Sequence, residues 1–510
     1  MGHRILSELI GTLWMRLALI FLWSEHPIMR RWLGRSSLFL GALSLSVFTI
    51  AAQAAGFEHV ARLADKGFVV SAQARLLDSG EVLGAINPAQ SLSPASVTKL
   101  YTAAASLDRW GPQHRFTTRF VSTGTLDGNG VLHGDLVLEG GGDPALTSEE
   151  LWRLIQKLRE LGVSSVDGQL VVSQWRFGPV TCITTDRCET QTEGTNAYAA
   201  LLSSAAINYG SWCATVMPGI VGQPARVTSC DTVAPTIRIE NDVATVAAGG
   251  SAKLYARRIT DSQGDTLRVS GQIPAGSYPR PVYKASSDPA DQTGQTLLSL
   301  LRQSGITVSG GYAVSRQAPP STAQPLAAVE GKPLQELLLR TLNYSNNFMA
   351  DTLALDLTSG TQQNLSDAGR ELERFAAGLP GHSAVTLRSG SGLTPENRVS
   401  AQSVNALLGA MYGRASLFPT FVAGMQVPTN GPMHFIRRGS QTFQDHVMIK
   451  TGTLNEPVTV RAIAGYFRTE SGRWGSFAVL VNGTGSTPYL SWRETLPLVS
   501  DDLTAMIERH

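Results

Sequence analysis

The sequence predicts a mixed α/β domain split by a long β-rich insertion. Three observations carry that reading: strand-like runs near both ends of the chain, helical apolar periodicity between them, and a middle stretch of short β-like runs broken by many glycine turns. At 510 residues the chain exceeds one ordinary domain, and 43% apolar with 16% charged residues describe a globular protein with a well-buried core. The 42 basic and 40 acidic side chains leave a formal charge of +2, so no global field selects nucleic acid or another polyanion as partner.

The first 55 residues stand apart in composition. Arg30, Arg31 and Arg35 precede an uncharged run from Leu38 to Ile50, which ends in Ala51-Ala52-Gln53-Ala54-Ala55. That is the order of a secretory signal peptide with an A-x-A cleavage site at Ala52-Gln53-Ala54. The run is shorter than the about 20 residues a membrane span needs, although an uncleaved anchor is the rival reading. An earlier apolar stretch, Ile5 to Trp23, is interrupted by Glu8 and Arg16 and precedes the basic cluster, which points to Met29 as the true start. Residues 1–54 are expected to be a cleaved signal peptide that exports the chain to the periplasm or cell envelope.

Gly67 to Leu83 alternates around Asp78-Ser79-Gly80, the pattern of two strands and a turn. A helix is expected to start at Ser93-Pro94, with Val97, Leu100, Ala103 and Leu107 on its apolar side and Gly111 at its end. Between about Thr123 and Tyr283 the texture changes to short runs and turns such as Asp127-Gly128 and Gly140-Gly141-Gly142-Asp143-Pro144. One helix interrupts it, with Thr147 and Glu150 as a capping box, Leu151, Leu154, Ile155, Leu158 and Leu161 as its stripe and Gly162 to close it. Helical patterns return from Gln295 to Gln303 and from Pro333 to Leu342, where Pro333 suits the first turn. Gln317 to Gln324 is read as a surface connection. His446 to Thr453, Thr459 to Arg468 and Trp474 to Asn482 read as strands, and Trp492 to Ile507 as a closing helix. The expected boundaries are 55–122 with 284–510 for the principal domain, 123–189 with 271–283 for an inserted domain, and 190–270 for a second, smaller β-rich insertion.

All four cysteines, Cys182, Cys188, Cys213 and Cys230, lie close together in sequence. An even count in an exported chain reads as two disulfides, and local spacing favours Cys182 with Cys188 and Cys213 with Cys230 among the three pairings. C-x-x-C spacing is absent and no histidine stands near the group, so no metal is expected there.

Three short motifs carry chemistry. Ser96-Val97-Thr98-Lys99 sets a hydroxyl and an amine three residues apart at a predicted helix start, so that the amine can serve the hydroxyl as base if burial and other cations depress its pKa. Alone it means little, since about one S-x-x-K match arises by chance in a chain of this size. Ser345-Asn346-Asn347 lies between two helical patterns, where Ser345 can pass a proton between Lys99 and a leaving group and Asn347 can donate to a substrate backbone and steady Lys99. Helix capping is its bland explanation. Lys450-Thr451-Gly452-Thr453 ends a strand-like run, a cation beside two hydroxyls that can clamp a terminal carboxylate, with Gly452 allowing close approach. K-T-G arises by chance in only about one such chain in ten.

The ordered set S-x-x-K, S-x-N, K-T-G resembles the signature of penicillin-binding proteins and class A β-lactamases, with Asn346 where Asp is usual. The gap from Ser96 to Ser345 is 345 − 96 = 249 residues, longer than in β-lactamases. With Gly134-Asp135-Leu136, Gly140 to Pro144, Tyr344 to Phe348, Ser391-Gly392-Leu393 and Asn397 to Ser400, the chain resembles the class C low-molecular-mass penicillin-binding proteins, the D-alanyl-D-alanine carboxypeptidase/endopeptidase family S13. That resemblance implies a serine transpeptidase fold, an antiparallel sheet flanked by helices. It implies Ser96 as the acylated nucleophile, Lys99 as general base, Ser345 and Asn347 as the second element, and Lys450, Thr451 and Thr453 on the carboxylate-binding strand. The oxyanion hole would use the N–H groups of Ser96 and Thr453. It further implies peptidoglycan peptides as substrate, β-lactam antibiotics as covalent inhibitors, no cofactor, and room for a homodimer. Two departures bear on substrate detail: Ser389 stands where the family has Asp, and a Gly-Thr-Leu-like segment is replaced near Gly431-Pro432-Met433. The competing readings are a β-lactam hydrolase or esterase using the same serine, for which no second base is assigned, and a silent envelope protein that binds peptidoglycan. A G-x-S-x-G elbow is absent, which disfavours a Ser-His-Asp hydrolase.

Overall fold

The computed structural model describes residues 56–510 except 192–195 and 430, so the proposed signal peptide lies outside the described residues. Its largest antiparallel sheet has five strands drawn from both ends of the chain. Val69–Leu76 (β1) and Val82–Ile86 (β2) come from the start, and Val447–Leu454 (β3), Val460–Arg468 (β4) and Trp474–Asn482 (β5) from the end. The order is β3-β4-β5-β1-β2, with β1 paired to β5 from Val69 opposite Asn482 to Leu76 opposite Gly475.

Both faces of this sheet are covered, which explains why β4 and β5 are almost wholly apolar rather than alternating. On one face Val70, Ala72, Ile449, Ile463, Phe477 and Val479 pack with the helices Glu58–Asp65 (α1) and Trp492–Arg509, the last helix of the chain. On the other, Ala462, Ala464, Tyr466, Ala478 and Leu480 meet a helical layer. That layer contains Lys99–Trp110 (α2), Leu334–Asn343 (α3), Asn347–Asp356 (α4), Leu365–Ala377 (α5) and Ala401–Tyr412 (α6). The result is a helix/sheet/helix sandwich, the penicillin-binding fold with a large inserted region.

The segment between β2 and α3 supplies the other sheets. A five-stranded sheet runs in the order Tyr312–Ser315, Leu170–Ser173, Leu136–Glu139, Thr117–Ser122, Gln324–Glu330, and it packs with the helices Ser148–Glu160 and Pro289–Gln303. Two three-stranded sheets from Ser211 to Ala285 enclose their own small core of Trp212, Val216, Leu267, Val269 and Ile273. The disulfides join Cys182 to Cys188 and Cys213 to Cys230.

Several local expectations need correction. The helix expected from Ser93-Pro94 is a short 3-10 turn, Ala95–Thr98, followed by α2 from Lys99. Ala95 has a φ of 44°, which no continuous α-helix can contain. The helix expected from Gln295 starts at Pro289, capped by Asp288, whose side chain accepts from the N–H groups of Ala290 and Asp291. Pro333 is the extended cap residue of α3, not a member of its first turn.

Candidate active site

Ser96 sits in the 3-10 turn that leads into α2, so its hydroxyl lies at the positive end of that helix. The turn is pinned to the sheet from one side. Ser93 N–H donates to Asn482 Oδ1 at 2.8 Å, and Asn482 Nδ2 donates back to the Ser93 carbonyl at 3.0 Å. It is closed from the other side by Ser391-Gly392. Gly392 has a φ of 76°, and a Cβ there would stand 1.9 Å from the Ala95 carbonyl, so only glycine fits.

One turn later, Lys99 is fully buried and its Nζ reaches three oxygens: Ser96 Oγ at 2.9 Å, Asn347 Oδ1 at 2.7 Å and the Ser391 carbonyl at 2.7 Å. Two of these can only accept. A neutral amine has two N–H groups for them and one lone pair left, directed at the Ser96 hydroxyl. Its pKa is held well below the usual lysine value, first by burial and then by the nearby Lys450 cation, while Asp351 pulls the other way. Asn347 opens α4, and its Nδ2 donates to the Tyr198 carbonyl at 3.0 Å, which fixes Oδ1 toward Lys99.

Alternation along β3 distributes the third motif. Ile449 joins the core on the α1 face, while Lys450 and Gly452 point to the face that carries Ser96. Lys450 is fully buried, its Nζ donating to Ser345 Oγ at 2.8 Å and to the Thr451 carbonyl at 2.6 Å, and burial pushes its pKa down to about 7. Ser345 is therefore bonded to Lys450. Gly452 brings strand and turn together, since a Cβ there would stand 2.5 Å from the Pro94 carbonyl and 2.9 Å from the Ser96 nitrogen. Thr453 Oγ1 accepts from Trp492 Nε1 at 2.8 Å, leaving its own O–H to donate elsewhere. Ala95 and Ser345 both have positive φ, 44° and 54°, so the residue before the first motif and the first residue of the second each carry backbone strain of order 1–3 kcal/mol that the surroundings hold in place.

The structure thus gathers Ser96, Lys99 and Asn347 into one hydrogen-bonded group and Ser345 with Lys450 into another. Thr451 and Gly452 are buried beside Lys450, and the four cysteines lie in the insertion. A groove of about 920 Å³ opens at Ser345 and Asn347 and runs past Tyr198 and Tyr344 toward Trp212 and Tyr283. Sequence reasoning gave no role to Ser391, Tyr198, Asp351 or Arg187. Asp351 carried a legible signal: it is the one charged residue between Asn347 and Leu355, four residues after Asn347 and so on its face. At Ser389 the hydroxyl accepts from Gly392 N–H at 3.1 Å, a turn-closing role that needs no charge.

A profile of the D-Ala-D-Ala carboxypeptidase 3 (S13) family matches residues 58–498. Over 426 residues the chain is 29% identical to a D-alanyl-D-alanine carboxypeptidase of Actinomadura sp. (strain R39), covering 80% of this chain and 77% of that one. It is 24% identical over 442 residues to the D-alanyl-D-alanine carboxypeptidase DacB of Haemophilus influenzae, covering 84% and 88%. The crystal structure of penicillin binding protein 4 from Haemophilus influenzae matches with a TM-score of 0.69 at 20% identity, over 88% of this chain and 99% of that one. A second structure of that protein, complexed with a β-lactam, matches with a TM-score of 0.67 at 21% identity.

Proposed function

Because the chain belongs to the D-Ala-D-Ala carboxypeptidase 3 (S13) family, we propose that it releases terminal D-alanine from peptidoglycan stem peptides through an acyl-enzyme on Ser96. The observation that carries the assignment of roles is the Lys99 amine, buried and bonded to two obligate acceptors with its third contact on Ser96 Oγ. Lys99 takes the Ser96 proton as the hydroxyl attacks the D-alanyl carbonyl, and the N–H groups of Ser96 and Thr453 receive the oxyanion. The C–N bond then breaks and the departing amine takes up a proton, for which Ser345, bonded to Lys450, is the nearest relay. Water hydrolyses the ester and frees Ser96. Lys450, with the hydroxyls of Thr451 and Thr453, receives the terminal carboxylate.

The groove bordered by Ser345 and Asn347, though not by Ser96 itself, supports a second substrate form, the cross-linked peptide, whose extra chain would lie along it. Endopeptidase action at the same serine is then expected beside carboxypeptidase action, in the periplasm of the producing cell. β-Lactam antibiotics should acylate Ser96 in place of the peptide. The test is labelling by a fluorescent penicillin, followed by incubation with purified monomeric and cross-linked muropeptides. Ser96→Ala should abolish both label and product, and Lys99→Ala should slow acylation at least about a hundredfold. Covalent labelling that survives Ser96→Ala overturns the mechanism, and fast turnover of penicillin with no action on muropeptides makes the protein a β-lactam hydrolase.

A further inference from the structure

One of the three oxygens around Lys99 is held by a chain of contacts that leads out of the site. The Ser391 N–H donates to Asp351 Oδ1 at 2.7 Å, and Asp351 Oδ2 lies 2.7 Å from Arg187 Nη2. The two side chains are 0% and 2% exposed. Arg187 belongs to the short helix Thr185–Thr190, inside the small loop closed by Cys182 and Cys188, and its Nε donates to the Ala200 carbonyl at 3.1 Å. Acyl transfer as described uses neither residue. Stability does not account for them either, because a buried ion pair is commonly no more stabilising than apolar residues of the same volume.

We infer that Arg187 and Asp351 are positioning residues for the Lys99 amine, acting through the Ser391 backbone, and that the Cys182–Cys188 loop is the strut that carries Arg187 to its place. The inference rests on the reading of Lys99 as the base for Ser96. A carboxylate is a strong acceptor for the Ser391 N–H and so fixes the carbonyl that receives a Lys99 N–H. By itself, however, a buried carboxylate so close would hold Lys99 protonated and useless as a base. The charged groups facing Lys99 are Lys450 from β3, Asp351 from α4 and Arg187 from the disulfide loop; after burial, Lys450 and Arg187 favour the neutral amine and Asp351 opposes it. Pairing with Arg187 keeps the grip of the carboxylate while cancelling its field at the amine.

The test is the pH dependence of the acylation rate with a fluorescent penicillin, from about pH 5 to 10, where the acidic limb reports the Lys99 proton. Asp351→Asn keeps the Oδ1 acceptor and removes the charge, so the limb should move to lower pH by about one unit. Arg187→Met leaves the carboxylate unopposed and should move the limb up by about one unit, a roughly tenfold slower rate at a fixed pH on the limb. The double variant should return to the parent limb within a few tenths of a unit, Arg187→Lys should stay near it, and Cys182→Ser with Cys188→Ser should shift in the direction of Arg187→Met. Uniform slowing at every pH, with the limb unmoved, would mean a merely structural pair and overturn the inference. If Arg187→Met does not fold, Asp351→Asn and Arg187→Lys decide it, an unmoved limb in Asp351→Asn counting against. Failure of the parent protein to acylate at Ser96, or an unimpaired Lys99→Ala, refutes the reading of the site itself and is told apart by those two controls.

Discussion

Lys450 shows how a single buried amine ties stability to pH. Its pKa of about 7 in the folded protein compares with about 10.4 for an exposed lysine, so between those values the unfolded chain binds a proton that the native state has released. Stability therefore rises with pH across this window, by up to about 1.4 kcal/mol per unit from this residue, and is constant below it, where both states are protonated. Lys99, depressed for the same reason, adds in the same direction. Urea unfolding of the parent protein and Lys450→Met at several values from about pH 7 to 9 should show a flatter dependence in the variant. Equal slopes would mean that the Lys450 amine keeps its proton in the folded state.

At the scale of the element, the site depends on short connections held by side chains of distant strands. Asn482, at the end of β5, satisfies both the N–H and the carbonyl of Ser93. Asn482→Ala leaves two buried backbone groups without partners and should cost about 2–4 kcal/mol, measured as a lower urea midpoint, with slower penicillin acylation as the Ser96 turn loosens. The strands, α2 and the capping box at Thr147 were legible because each obeys a period or a cap rule. The helix α4 gives little such signal, since every residue after Asn347 is buried and no apolar face stands out against a polar one. α5 was legible and passed over, although Asn364 and Asp367 form a capping box before a clear stripe. The first two turns of Pro289–Gln303 have no apolar stripe and contain Gly294, whose missing Cβ makes room for the Tyr312 ring, a tertiary reason that no local pattern reveals. The three motifs were readable as chemistry, and Asp351 stood out as a lone acid; the Ser391 carbonyl and the partnership of Asp351 with Arg187 were not, because a backbone acceptor and a contact across 351 − 187 = 164 residues leave no mark in a short window.

At the scale of the molecule, the inserted region is joined to the principal domain to very different degrees. Phe177, Val180, Ala200, Leu202 and Ala206 share one apolar cluster with α2, α3 and α4, so this part should unfold together with the site. The strands from Ser211 to Ala285 have a separate small core, and their amides, especially those of 238–246 and 253–261, should exchange hydrogen by a lower-energy opening than those of β4 and β5. Hydrogen exchange followed by mass spectrometry checks this, and equal protection in both regions would contradict it. The pairing of β1 with β5 has a further consequence for how the protein comes into being. Val70 lies opposite Val481, 481 − 70 = 411 residues later, so β1 must wait for almost the whole chain before its inner edge is filled. At about 5–20 residues per second the ribosome takes some tens of seconds to supply the missing strands, during which the early hairpin exposes an open apolar edge. The two disulfides span only 6 and 17 residues, so once the chain reaches an oxidising compartment they can close without waiting for β5 to pair. Ser96 gains its strand neighbours only at the end, so a nascent chain is bound to carry a silent nucleophile until its last strands arrive.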